Sequence, residues 1–156
     1  ETPLVAGLPH GGMPELPTLY ENRVRFAETD LQGIVFYGTF FTYQDEAVNE
    51  FVRRIDFPYD RMQEHGFTTH IVHANMDYLA PARFGDVIEN RLRVARIGRS
   101  SLAFAHEAHR QDDGNVLAEG SVTHVTVDLE TDDPIPVPDE LAEAITAWQS
   151  QPPERG

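Results

Sequence analysis

The chain contains no cysteine and no lysine. The first absence excludes disulfides, thiolate nucleophiles and cysteine metal sites. The second leaves arginine as the only strong base: 12 arginines stand against 26 Asp and Glu, for a formal charge of −14. A surface so short of positive charge repels phosphate backbones, which argues against nucleic acid as a partner. No apolar run is long enough to span a bilayer. No basic n-region followed by an apolar h-region opens the chain, so no signal peptide is expected and a cytoplasmic location is the reading. Also missing are a G-x-S-x-G elbow, a P-loop and a dinucleotide G-x-G-x-x-G.

What is present suits one domain with one core: 156 residues, 40% of them apolar and 10% aromatic. Residues 1–18 hold Pro3, Gly7, Pro9, Gly11, Gly12, Pro14 and Pro17, a density of breakers that reads as an arm. Residues 19–150 read as a single domain and 151–156 as a tail.

Within the domain, Tyr20 to Ala27 alternates, with Tyr20, Asn22, Val24 and Phe26 on one face of a half-buried strand. After Gly33 the period changes. Phe40, Tyr43, Ala47, Phe51 and Ile55 recur at helical spacing, flanked by Phe41, Val48 and Val52, while Gln44, Asp45, Asn49 and Arg53 fall on the other side. Residues 58–65 suggest a short second helix stopped by Gly66. Strands are then predicted over 68–78, 86–97, 101–110 and 116–129, separated by tight turns. Asp139 and Glu140 follow Pro138 to open a terminal helix with a Leu141, Ile145, Trp148 stripe. Hairpin-length connections imply an antiparallel sheet, so the class is α+β: five strands against one long helix, plus a short C-terminal helix. Exposed edges invite a second copy, giving a homodimer or homotetramer.

Two histidine pairs, His70 with His73 and His106 with His109, have metal-like spacing. Residues three apart on a regular strand face opposite ways, so neither pair is expected to chelate and no metal site is assigned. Asp30 is different. It lies a few residues before the long helix, whose first amides are unpaired donors carrying partial positive charge. A carbonyl placed there is polarised, and a nearby carboxylate can attack it or deprotonate a water. Judged by spacing alone, Asp30 reads rather as a turn or capping aspartate.

The run Arg25-Phe26-Ala27-Glu28-Thr29-Asp30-Leu31-Gln32-Gly33-Ile34-Val35-Phe36-Tyr37 resembles the signature of the 4-hydroxybenzoyl-CoA thioesterase group of hotdog-fold enzymes. The likeness continues through Phe40, Tyr43, Asp45 and Ala47, then Ala74 to Tyr78, Pro81 to Arg83 and Arg96 to Ser101, in the same order. The resemblance implies a hotdog fold, an antiparallel sheet wrapped around one long helix, and hydrolysis of acyl-CoA to acid and CoA. It implies Asp30 as nucleophile or general base, the Tyr37 N–H at the thioester oxygen, and Gly33 as the tight turn beside the substrate. Arg99, Ser100 and Ser101 match a loop that contacts CoA phosphate in relatives. No cofactor is implied, CoA being part of the substrate.

Two departures stand out. Tyr37-Gly38-Thr39 replaces the tripeptide many relatives carry, with Tyr where a histidine-assisted mechanism would need His. Arginine alone is left for phosphate binding. A non-catalytic acyl-CoA sensor of the same fold is the alternative function. A hotdog dehydratase would need a catalytic His, and none lies near Asp30 in sequence. Phe36, Phe40, Phe41 and Tyr43 read as core or as lining for an acyl pocket.

The acidic excess is read as adaptation to a salty cytoplasm, which predicts a salt-dependent fold. The thermal unfolding midpoint should rise from low to molar salt as self-repulsion is screened. A midpoint unchanged by salt would leave an ordinary acidic protein from an arginine-biased proteome.

Overall fold

The computed structural model describes residues 16–156. The sequence reading of an arm over residues 1–18 therefore lies, for 1–15, outside the described residues. Leu16 is already buried, and the first strand, β1, runs Thr18–Arg23. The alternation stops at Val24: Phe26–Glu28 forms a 3-10 turn, and Phe26 is 79% exposed rather than inward.

The long helix α1 (Thr39–Arg54) buries Phe40, Tyr43, Gln44, Ala47, Val48, Phe51 and Val52. Gln44, placed by the helical wheel on the outer side, is 2% exposed. Its spacing of four from Phe40 and Val48 and three from Ala47 puts it on the inward stripe, while Asp45 and Arg53 on the outer side stay exposed. Each large apolar side chain so covered contributes about 1.5–3 kcal/mol. A short helix α2 (Tyr59–Glu64) follows and ends at Gly66, with φ +83°.

The remaining strands are β2 (Phe67–Tyr78), β3 (Val87–Ile97), β4 (Ser101–Arg110) and β5 (Val116–Asp128). Helix α3 (Asp139–Trp148) and the short strand β6 (Glu154–Arg155) complete the fold. The sheet order is β1-β3-β4-β5-β2, all antiparallel, with β6 added parallel to β3. This is the expected five-stranded sheet around a central helix. Residues 154–155, read as tail, add the sixth strand.

The core has two lobes. One gathers the C-terminal half of α1 (Ala47 to Ile55) with Leu92, Phe104 and the α3 residues Leu141 and Ile145. Trp148 packs edge-on to Phe51 with centroids 5.4 Å apart. The other gathers Phe40 and Tyr43 with Val24, Val35, Ala82, Ile88, Ala108, Leu117 and Ala118. Val24 and Val35 flank the Asp30 segment, so this lobe anchors it.

The sheet edges are treated unequally. The outer edge of β3 is covered along its length by β1, by the Pro17 carbonyl on Leu92 N–H (3.0 Å) and by β6. Between them the Gln149 amide acts as a strand residue, accepting from Val94 N–H (2.6 Å) and donating to Val94 C=O (3.1 Å). The outer edge of β2 pairs with no strand among the described residues, and Ile71 and Val72 on it are 54% and 61% exposed.

A bulge in β2 corrects one expectation. His70 pairs with Val125 and His73 with Thr123, the register shifting between Ile71 and His73. Since Val125 and Thr123 are two apart, His70 and His73 share one face. The regular-strand argument holds for the other pair: His106 is buried and His109 lies on the outer side.

Two histidines face the helix. His106 Nε2 pairs with Asn90 Oδ1 (3.2 Å), and His124 Nδ1 with Thr69 Oγ1 (3.1 Å). Among the described residues, His106 Nδ1 and His124 Nε2 have no hydrogen-bond partner. His124 lines a void of about 10 Å³ between α1, α3 and the sheet, about the size that admits one water. Burial pushes both imidazoles down from 6.5 to about 4, with the neighbouring His109 adding to the effect on His106. Because the folded pKa lies below the unfolded one, the folded state binds fewer protons as pH falls. The stability these groups allow is therefore full above about 6.5 and is lost as pH falls from there through about 4. Proton NMR of the imidazoles checks this. Two rings should remain neutral to about pH 4 while the urea midpoint declines over that window. Titration of all rings near 6.5 contradicts it.

Candidate active site

The segment between the 3-10 turn and α1 folds back on itself. Asp30 N–H donates to Ile34 C=O (2.9 Å) and Gly33 N–H to Asp30 C=O (3.0 Å). Asp30 Oδ1 accepts from Gln32 N–H at 2.8 Å, an Asx-type turn that leaves Oδ2 for other work. Gly33 takes φ +77° with open space where a Cβ would stand, so backbone conformation alone accounts for glycine there. At the foot of the loop, Phe36 N–H donates to Glu28 C=O (2.9 Å) and Val35 N–H to Ala82 C=O (2.8 Å). Val35 is 4% exposed. The loop is thus pinned at its base and presents Asp30, which is half-buried, at its turn.

The entrance to α1 differs in detail from a plain helix start. Thr39, Phe40 and Phe41 N–H bond back to the carbonyls of Phe36, Tyr37 and Gly38 at 2.9, 3.4 and 3.1 Å. These tight i→i−3 bonds occupy amides that an unadorned helix leaves free. Among the described residues, the N–H groups of Tyr37 and Gly38 carry no hydrogen bond. The orientation of both is fixed. Tyr78 O–H donates to Tyr37 C=O at 2.8 Å, and Phe36 C=O is held by Thr39. In a trans peptide the N–H points opposite its carbonyl. Gly38 itself is explained by space: a Cβ would stand 2.9 Å from the Phe36 ring.

Around these groups lies an uncovered aromatic surface. Phe26, Leu31, Phe36, Tyr37, Tyr78 and Phe84 are each at least 45% exposed. Ring contacts link Phe26 to Phe84 (6.5 Å), Phe36 to Tyr37 (4.7 Å) and Tyr37 to Tyr78 (6.3 Å). Phe40 is core and meets Tyr78 at 5.8 Å. A patch of this kind marks a surface made to be covered by a ligand or partner.

Asp30, Gly33 and Tyr37 therefore lie on one short segment between the 3-10 turn and α1. Arg99, Ser100 and Ser101 do not join them within one protomer. They form the β3–β4 turn, where Ser100 C=O accepts from Thr126 N–H (2.8 Å). The Asp30 loop abuts the start of β3, where Val24 N–H meets Asp86 C=O (2.8 Å). The length of β3 separates the two, about 30 Å at the strand rise. Arg99 is exposed.

Sequence reasoning missed Glu28 and Tyr78 as parts of this site and read Tyr43 as core or acyl-pocket lining, without a partner for its hydroxyl. Tyr43 O–H donates to Glu28 Oε1 at 3.1 Å. The available signal was a hydroxyl on an otherwise apolar helical stripe, since a buried tyrosine seeks a partner for its O–H.

Comparison with known proteins agrees with this geometry. Residues 24–145 match the model of the Thioesterase-like superfamily. A crystal structure of a protein of unassigned function from Aquifex aeolicus superposes with TM-score 0.76 at 31% identity, covering 83% of this chain and 99% of that one. A 1,4-dihydroxy-2-naphthoyl-CoA hydrolase from Synechocystis is 26% identical over 127 residues, 81% of this chain and 92% of the relative. A gentisyl-coenzyme A thioesterase superposes with TM-score 0.70 at 28% identity, covering 81% and 97%. With its residues matched from Val24 through the C-terminal helix and its sheet wrapped around one buried helix, the chain belongs to the Thioesterase-like superfamily, as a thioester hydrolase of the hotdog fold.

Proposed function

We propose that the protein hydrolyses acyl-CoA thioesters, with Asp30 as the catalytic carboxylate and the Tyr37 N–H as the donor to the thioester oxygen. The observation that carries this is a pinned carboxylate on a short loop that runs directly into a helix entrance, where the Tyr37 and Gly38 amides are oriented and carry no hydrogen bond among the described residues. The carbonyl gains negative charge as it is attacked, and a fixed amide donor stabilises that charge without reorganising. Asp30 either attacks the carbonyl carbon, forming an anhydride that water then opens, or takes a proton from the attacking water. In both routes the C–S bond breaks and CoA leaves as its thiolate. The names of relatives, a dihydroxynaphthoyl-CoA hydrolase and a gentisyl-CoA thioesterase, support a CoA thioester as substrate. The exposed rings of Phe36, Tyr37 and Tyr78 favour an acyl group that can stack on them.

The working unit we infer is a homodimer paired through β2. That strand is 12 residues long with its outer edge unpartnered among the described residues, the kind of edge that pairs with another copy unless blocked. Antiparallel pairing about a two-fold axis reverses the ends of the second sheet. Arg99, Ser100 and Ser101 of the second copy then come to the end where Asp30 lies, a few strand spacings of about 4.8 Å away. An arginine fork and two hydroxyls there suit the phosphates of a CoA whose pantetheine arm runs inward to the aromatic patch.

A thiol-release assay over a panel of acyl-CoAs, at low and high salt, tests the activity. Turnover is expected for at least one aromatic acyl-CoA, and Asp30→Asn should lower its kcat by at least about 100-fold. A folded Asp30→Asn protein that keeps the parent rate refutes the assignment. Binding without turnover across the panel would favour the sensor function instead.

A further inference from the structure

The two halves of the site sit on different pieces of structure. Asp30 rides on the loop closed by Glu28 and Phe36, and the amide donors belong to the start of α1. Something must hold the loop in register with the helix, because a misplacement of about 1 Å costs of the order of 100-fold in rate.

The contact that spans the two is a half-buried carboxylate. Glu28 is the last residue of the 3-10 turn, and its side chain is 13% exposed. Its Oε1 accepts from Arg25 N–H (2.8 Å) and from Tyr43 O–H (3.1 Å), and its Oε2 from Arg25 Nη2 (3.2 Å). Its backbone carbonyl accepts from Phe36 N–H, one residue before Tyr37. Glu28 thereby touches both arms of the loop, and through Tyr43 it touches the second turn of α1.

Tyr43 is fixed in turn. It is 2% exposed and packs edge-on to Phe40 at 5.6 Å. Burial and the facing Glu28 carboxylate hold its phenol well above the usual range, so it stays a donor. Asn22 stands beside it and accepts from Asn90 Nδ2 (2.8 Å), which continues to His106. The Asn90–Asn22 pair thus stands beside Tyr43 on the sheet side, and the Tyr43–Glu28 bond leads from there to the foot of the Asp30 loop.

We propose that Tyr43 is a positioning residue: its hydroxyl, acting through Glu28, sets the Asp30 loop against the amides at the entrance of α1. The inference rests on the Asp30 reading for its kinetic part and on the hydrogen-bond geometry for its structural part.

Tyr43→Phe removes one oxygen from a packed ring and tests it. The expected result is a kcat lowered about 10- to 100-fold with KM changed less than about 3-fold. Faster amide exchange at Asp30, Gly33 and Phe36, with α1 still protected, is expected alongside. Glu28→Gln keeps an acceptor oxygen and should retain most of the activity, whereas Glu28→Ala should lose as much as Tyr43→Phe. The double variant Tyr43→Phe/Glu28→Ala should be no worse than Glu28→Ala alone, because both act through one contact. An unchanged kcat in Tyr43→Phe, unchanged exchange at the loop, or additive losses overturn the proposal. Asp30→Asn run in parallel keeps the two claims apart. If it retains the parent rate, the Asp30 reading fails, while amide exchange in Tyr43→Phe still decides whether the hydroxyl orders the loop.

Discussion

Helix α1 presents Phe40, Tyr43, Ala47, Val48, Phe51 and Val52 inward, and water must be excluded from that face along the whole helix. A sheet twisted around it does this, and most of the remaining architecture follows from that demand. The strands curl because the surface they cover is a cylinder. Helix α3 closes the far end through Leu141 and Ile145. Val24 and Val35 close the near end. The near-end closure matters most for chemistry, since the two valines are the posts between which the Asp30 loop is strung. The burial that stabilises the fold also anchors the loop that carries Asp30 and leads into α1.

Much of the fold was legible because periodicity follows burial. The boundaries of β4 fall where the alternation predicts, and those of β2, β3 and β5 within a residue. The failures occur where period and burial part company. Phe26 continues the alternation on paper, but the chain has already turned into a 3-10 turn. Gln44 reads as polar and outward, yet its spacing from Phe40, Ala47 and Val48 places it on the inward stripe of α1. The bulge at Ile71–His73 brings His70 and His73 to one face, and a bulge leaves no mark on a simple alternation count. Glu154 and Arg155 pair with β3 through backbone groups, which their side chains do not signal.

The candidate site was legible at its centre and obscure at its supports. The Asp-x-x-Gly spacing and the helix that follows point to Asp30, Gly33 and Tyr37. The groups that hold these in place, Glu28, Tyr43 and Tyr78, act through long-range contacts that no local pattern encodes. Their hydroxyls and carboxylate reach across 15 or 41 residues of sequence. Arg99 to Ser101 pose the opposite case. They are named by resemblance, yet one protomer keeps them at the far end of the sheet. In the homodimer we propose, the open edge of β2 and the exposed aromatic patch account for that separation, the second copy completing the surface with substrate lying between.

The central claim is geometric, that the thioester carbonyl rests between the Asp30 carboxylate and the amides at the entrance of α1. A crystal structure with a non-hydrolysable thioether or ketone analogue of an acyl-CoA tests it most directly. The account predicts the acyl oxygen about 3 Å from the Tyr37 N–H, with an Asp30 oxygen on the open face of the carbonyl carbon. An analogue whose acyl oxygen is bound away from that entrance, with Asp30 facing solvent, would contradict it.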